Sequence, residues 1–352
     1  MPPEVSRVLV TGASGFIASH VIHQLLDAGH TVRGTVRSLQ DEDKVKAIKN
    51  IHPASNERLE LVEADLNDEN CWDAAVAGCS HVLHIASPFP RSNPWNEDKV
   101  IGPAVQGVRL VMKASIDSGT VKRVVYTSSA YAIASFKGGK FNENDWSDTS
   151  DSSQTAYSKS KHFAEKAAWA TLETQGGSEL ELVVLNPVGV FGPGLAPTLS
   201  TTQVYVQEMM KNWWPLVPRF SIPVIDVRDV ATAHVRAMTA DGVVGKRIII
   251  SNGCMFFKDM IQVLQEEYNP MGYNIKSHTC PDFLTKTLSV VMTDLKPLIP
   301  GLGKVNEFDN TRMRELLDIQ PIGHRKMLVD MGHSLISMGL VPKKAGYKPQ
   351  GE

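Results

Sequence analysis

The chain is short of several things, and each shortage excludes a class of protein. Its 352 residues include four cysteines, Cys71, Cys79, Cys254 and Cys280. They form no CxxC pair and have no histidine at zinc-finger spacing, so free thiols in a reducing compartment are expected, and no metal. Charge of one sign is missing too. There are 36 basic and 38 acidic residues, a formal net charge of −2, and no long basic run. Neither a nucleic acid nor an anionic membrane surface is implied as a partner. Long apolar runs are absent, since stretches such as 248–250 and 288–292 fall far short of a bilayer span. The first residues pass through two prolines into a strand by Arg7, which fits no secretory leader, and a cytoplasmic location is expected.

What is present is alternation. Apolar strands are predicted at 7–11, 31–36, 59–63, 81–85, 123–127 and 180–186. Between them lie helical stretches at 17–28, 44–50, 71–77, about 103–118, and 156–174. Strand–helix–strand units of this kind predict an α/β fold, a Rossmann-type doubly wound parallel sheet covered by helices on both faces. After Pro187 the pattern breaks into a segment rich in Pro, Gly, Trp and Met. Strands return at 224–226 and 246–251, around a helix at 230–239 that Asp229 is suited to cap. We therefore expect a dinucleotide-binding domain over 1–186 with a return segment at about 224–251. A smaller, mostly helical substrate lobe is expected from 187–223 and 252–342, with a loose tail at 343–352.

The first strand runs into TGASGFIASH, with Gly12, Gly15 and Ala18 where the turn becomes a helix. The strict GxGxxG spacing is missing, but the physical task is the same. Two glycines let the backbone approach a pyrophosphate whose charge sits at a helix N-terminus, and Ala18 lets the helix pack closely on the sheet. The second strand ends in Val36-Arg37, without the acidic residue that would accept from a ribose 2′-hydroxyl. A guanidinium suits a 2′-phosphate, which favours NADP(H) over NAD. Asp65-Leu66 could hold the adenine edge, or Asp65 could cap the helix that follows.

Tyr157 and Lys161 stand four residues apart on one predicted helix and so share a face. A phenol titrates near ~10, and a fixed ammonium beside it should draw that value toward neutrality. Lys161 can also grip a nicotinamide ribose. Ser128 and Ser129 end the strand VVYTSSA, at the sheet edge where open α/β folds bind ligands. Either could polarise a carbonyl oxygen, and spacing does not choose between them. Met209, Met210, Trp213 and Trp214 are read as core of the second lobe or walls of an apolar pocket, with the pocket favoured. Phe89, Tyr131, Phe191 and Tyr205 are further candidates for that wall.

TGASGFIASH, HIASPF, VVYTSSA, YSKSK, LNPVGVFGP and IDVRDVATAH follow one another in the order found in extended short-chain dehydrogenases/reductases. More narrowly, the chain resembles the dihydroflavonol reductase-like branch, with its yeast-type methylglyoxal/ketone reductases and fungal aldehyde reductases. The resemblance is strong over about 5–255 and loose over 256–340. It implies Ser129 as the catalytic serine, Tyr157 as general acid and Lys161 as its partner. It implies that Gly12, Ala13, Ser14, Gly15, Phe16 and Ile17 line the pyrophosphate, and that Arg37 and Lys44 meet the 2′-phosphate. Asp65 and Leu66 would meet the adenine, Pro187 to Val190 would wrap the nicotinamide, and Thr202 would reach the cofactor.

Three departures stand out. Gln106 replaces an asparagine common in relatives, Ala134 replaces the asparagine of flavonoid-reducing members, and no NWYCYGK-type signature surrounds Tyr157. The expected activity is NADPH-dependent reduction of an apolar or aryl aldehyde or ketone by a monomer or homodimer. The rivals are an NAD-dependent sugar-nucleotide epimerase/dehydratase or hydroxysteroid dehydrogenase on the same fold, and a nucleotide sensor without catalysis.

Overall fold

A computed structural model describes residues 5–349 apart from 89–95, 136, 152–153, 175–178 and 215. The candidate wall residue Phe89 lies outside the described residues. The central sheet contains β1 (Arg7–Val10), β2 (Thr31–Val36), β3 (Leu59–Glu63), β4 (His81–His84), β5 (Arg123–Thr127), β6 (Glu181–Pro187) and, after two strands of another sheet, β9 (Arg247–Ile250). Its strands lie in the order β9-β6-β5-β4-β1-β2-β3, and every pairing is parallel. This is the doubly wound Rossmann-type sheet that the alternation predicts. Parallel strands covered on both faces lose water entirely, which is why Val8-Leu9-Val10 and Ile248-Ile249-Ile250 read as unbroken apolar runs.

Two helical layers cover the sheet. On one face α1 (Phe16–Asp27) packs beside α6 (Val227–Ala237) over Val8, Val10, Val125 and Leu185. On the other, α3 (Asp98–Asp117) and α4 (Ala156–Thr174) cover Leu9, Val82, Val124 and Val184. Helix α1 ends as expected at Gly29, whose φ of +89° suits a residue without Cβ, while His30 N–H returns to Leu25 O at 3.0 Å. Helix α2 (Glu42–Lys49) begins two residues early because Asp41 caps it, accepting from Lys44 N–H at 3.3 Å. Helix α3 begins at Asp98 and carries Pro103 inside, where 103 was expected as the start. The side chain of Asn96 accepts from Asp98 N–H at 2.9 Å, an upstream start signal that the proline masked.

A second apolar core holds the smaller lobe. It is built on α5 (Thr201–Met210), α7 (Phe257–Tyr268) and α8 (His324–Ser337), with the small sheet β7 (Gly189–Phe191), β8 (Ser221–Asp226) and β10 (Cys254–Phe256). Met209 and Met210 belong to this core, Trp214 packs against it, and Trp213 is 63% exposed. The pocket-wall expectation is therefore corrected to core for Met209, Met210 and Trp214, while Trp213 lies at the surface. Phe191 is core too. The cap of α6 is Asp226, which accepts from Arg228 N–H at 2.8 Å. Asp229, expected as that cap, instead lies in the first turn and accepts from Ile322 N–H at 2.9 Å. The Arg228 guanidinium joins Asp226 to Asp330 of α8 at 2.7 and 2.6 Å, tying the two lobes together.

The turn after β1 leans on β2 without clearance. A Cβ added at Gly34 would lie 2.8 Å from Ala13 Cβ and 3.1 Å from Leu61 Cδ2. Gly34→Ala is therefore expected to lower stability by about 1–3 kcal/mol through overpacking. The urea unfolding midpoint reads this, and an unchanged midpoint would show that the turn can give way.

Candidate active site

The polar residues gather where β1, β4, β5 and β6 end on one edge of the sheet. Gly12 adopts φ +70°, and a Cβ there would lie 3.1 Å from Ala86 Cβ, so only glycine lets the first turn lie against the end of β4. Gly12 N–H donates to Thr35 Oγ1 at 2.9 Å, and Ala13 N–H to Thr35 O at 2.8 Å. The first turn of α1 opens at Gly15, which has no side chain to cap it. Phe16 and Ile17 thus present backbone N–H groups that an anion can satisfy. Beside this turn lies a recess lined by Ala13, Ser14, Lys44, Ala47, Ala196 and Thr198. The wider hollow around Trp146, Lys166 and Trp169 includes neither Tyr157 nor Lys161.

Thr11 is the joint between β1 and β4, and sequence reasoning missed it. Its hydroxyl oxygen accepts from Ile85 N–H at 3.0 Å and Ala86 N–H at 2.9 Å, and lies 2.9 Å from His84 Nδ1. A hydroxyl has two lone pairs and one proton, so the proton goes to His84 Nδ1 and the imidazole hydrogen resides on Nε2. Burial, with a smaller push from Lys161, lowers His84 to about 3. The ring is neutral and stacks on Tyr126, with centroids 5.5 Å apart. His84 thus shapes the edge as a neutral ring.

The two serines separate. Ser128 Oγ donates to Glu165 Oε2 at 2.5 Å in the interior. Ser129 Oγ caps a short 3₁₀ turn, accepting from Tyr131 N–H at 3.2 Å. The Tyr131 ring meets the Tyr157 ring edge-on at 5.8 Å, which brings the Ser129 corner against α4. Lys161 Nζ lies 5.7 Å from the centre of the Tyr157 ring. Burial lifts the Tyr157 phenol well above its ordinary value. The lowering expected from the ammonium is thus not seen, because burial drives the phenol the other way. Lys161 is itself brought down by burial, with Glu165 working against it, to about 8.

Arg37 is exposed just past β2 and makes no hydrogen bond or ion pair among the described residues. Lys44 is paired with Asp41. Asp65 accepts from Asn67 N–H at 2.8 Å in a local turn, which rules out the helix-cap alternative. Leu66 abuts α3, where a Cβ at Gly107 would come within 2.9 Å of it. Pro187 ends β6, while Val190 in β7 accepts from the Thr202 hydroxyl at 2.5 Å, so these two candidates bind each other. Gln106 is exposed and has no hydrogen-bond partner among the described residues. No described cluster of His, Cys, Asp and Glu could hold a metal, and no described helix is long and apolar enough to cross a membrane.

A family model described as the 3-beta hydroxysteroid dehydrogenase/isomerase family matches residues 9–264. The chain belongs to that family, among the extended short-chain dehydrogenases/reductases. It is 35% identical over 272 residues to tetraketide alpha-pyrone reductase 2 of Arabidopsis thaliana, covering 75% of this chain and 83% of that one. It is also 35% identical over 268 residues to cinnamoyl-CoA reductase 1 of the same plant, covering 74% and 75%. Among solved structures, yeast methylglyoxal/isovaleraldehyde reductase Gre2 complexed with NADPH aligns at a TM-score of 0.78 and 27% identity, over 95% of this chain and 99% of that one. The plant resemblance persists although the signature near Tyr157 and the asparagine at position 134 are missing.

Thr11→Val would strip three buried polar groups of their shared partner. The expected loss is on the order of 3 kcal/mol, recovered largely by Thr11→Ser. Chemical denaturation of the three proteins measures it.

Proposed function

We propose that this protein reduces an aldehyde or ketone to the alcohol with NADPH. The observation that carries the reading is the pairing on α4: a buried Tyr157 held in its protonated form, beside a Lys161 that keeps its charge to about pH 8. Such a phenol is an acid waiting for a base, and the base that appears during carbonyl reduction is the developing alkoxide.

The residues fit the dinucleotide. Gly12 permits the positive φ of the turn, and the uncapped start of α1 would offer a pyrophosphate N–H donors. Arg37 is the unengaged cation for a 2′-phosphate, and Lys44 would first have to leave Asp41. When bound, NADPH supplies the hydride. Tyr157 gives its phenolic proton to the carbonyl oxygen, and the Ser129 hydroxyl donates to that oxygen and orients it. Ser129 is preferred over Ser128 because the latter's proton is already given to Glu165. Lys161 grips the ribose and offsets the charge left on Tyr157. Val190 and Thr202, joined to each other, would support the nicotinamide end with Pro187.

Tyr131 and Tyr205 are the aromatic walls we assign to the substrate. Both phenols are raised by burial, Tyr205 and Tyr157 raise Tyr131 further, and the Tyr131 ring meets Tyr157 edge-on at 5.8 Å. An apolar or aryl carbonyl fits that lining. The relatives carry the same sense, since tetraketide alpha-pyrone, cinnamoyl-CoA and methylglyoxal/isovaleraldehyde reductases are all reductases by name.

Tyr157→Phe is expected to cut turnover of simple aldehydes at least ~100-fold while NADPH still binds. In the wild type, activity should decline as pH rises through about 8, where Lys161 loses its proton. Oxidation of NADPH followed across pH tests both, and a Tyr157→Phe enzyme with full activity would remove the assignment. Arg37→Ala should weaken NADPH roughly 10-fold or more and leave NADH nearly unchanged, as loss of one charge-assisted contact predicts. Inertness toward NADPH together with NAD-dependent oxidation of a hydroxysteroid would move the reading to the rival on the same fold.

A further inference from the structure

Helix α4 carries a third polar group in line with Tyr157 and Lys161. Glu165 follows Lys161 by one turn and is wholly buried. Its carboxylate is saturated by three separate elements. Oε2 accepts from Ser128 Oγ of the β5 end at 2.5 Å and from Asn186 Nδ2 of β6 at 2.7 Å. Oε1 accepts from Arg247 Nε of β9 at 2.5 Å. Asn186 Nδ2 also reaches the Ser129 carbonyl at 3.2 Å, so the same group holds both serines. Arg247 is fixed in turn by the carbonyls of Glu143 and Asp145 at 2.9 and 2.6 Å, and its guanidinium lies 3.8 Å from the centre of the Trp146 ring.

A buried charge costs several kcal/mol unless it is fully paired, and an apolar residue would pack there with less risk. We propose that Glu165 is a positioning residue of the reaction centre. It pins the Ser128–Ser129 corner against α4 and holds the Lys161 ammonium in its charged form. The proposal rests on the reading of Tyr157 and Lys161 given above.

The charged and titratable groups around Lys161 support it. On α4 itself are Tyr157 and Glu165. Facing them are His84 of β4, which burial keeps neutral, and Tyr126 of β5, whose phenol burial and Glu165 both raise. Arg247 stands behind Glu165, and burial raises the nearby Glu143 carboxyl. Of these, Glu165 is the group that acts against desolvation on Lys161.

The test is Glu165→Gln, which keeps the shape and removes the charge. The alkaline limb of both NADPH affinity and kcat/KM, set near 8 in the wild type, is expected to move down by about one pH unit. Ser128→Ala, which removes only one arm, should lower kcat without moving the limb. A uniform loss at every pH, with the limb in place, would show a structural role only and overturn the proposal. If Glu165→Gln does not fold, Glu165→Gln/Arg247→Met removes both buried charges and carries the same comparison. Titration of isotope-labelled lysine side chains by NMR without added cofactor reads Lys161 directly, and an unshifted Lys161 in Glu165→Gln or in Glu165→Gln/Arg247→Met sinks the idea. Tyr157→Phe run alongside separates the failures. Its retained turnover would undo the function, whereas an unmoved limb with an inactive Tyr157→Phe undoes only the role of Glu165.

Discussion

The oxygen of Thr11 has two lone pairs and one proton, and all three are committed where the first and fourth strands end. The turn beyond depends on this joint. With β4 pinned to β1, Ala86 sits against Gly12, and the backbone must take the positive φ that glycine permits. From that turn the chain enters α1 with no capping side chain, leaving the N–H groups of its first turn open. The same proton fixes the tautomer of His84, so the ring beside Tyr126 is a neutral spacer between the dinucleotide turn and Lys161. One hydroxyl thus links the Gly12 turn to the end of the edge that carries Tyr126 and His84.

The fold was largely legible because its cause is local. Buried parallel strands write unbroken apolar runs, and α1 writes its own end at Gly29. Boundaries slipped where a distant or masked signal decided them. Pro103 looks like a start, yet it sits inside a helix begun by Asn96. Asp229 has the composition of a cap, but Asp226 reaches the first free N–H before it, and Asp229 turns to the backbone at Ile322. Met209 and Met210 look like pocket lining in a segment without period. They are core because α7 and α8, far along the chain, close over them.

The site was legible as residue types and less so as connections. Four-residue spacing along α4 finds Tyr157 and Lys161, and one more step finds Glu165, a signal present in the sequence but not followed. Nothing in the spacing distinguishes Ser128 from Ser129. The difference arises from Glu165, 37 residues later, which claims one of the two hydroxyls. Thr35, Thr11 and Asn186 were missed for a similar reason. Each is a common residue at a strand end, and its partners are assembled only by the parallel register.

Burial explains why the phenol is raised where the spacing to Lys161 led us to expect it lowered. In water an ammonium near a tyrosine lowers its pKa, but both groups here leave water together, and desolvation pushes each toward its neutral form. For the phenol, the neutral form is the proton donor. For the lysine it is the useless form, and a carboxylate one turn away opposes that drift. The row on α4 is therefore a graded set of three burials. Burial raises Tyr157, Lys161 is partly rescued from burial by Glu165, and Glu165 is paired with Ser128, Asn186 and Arg247. On the function proposed above, an acid that must hold its proton until an alkoxide appears would be better served by this grading than by a strong ion pair with Lys161. Such a pair would stabilise the phenolate before there was anything to protonate.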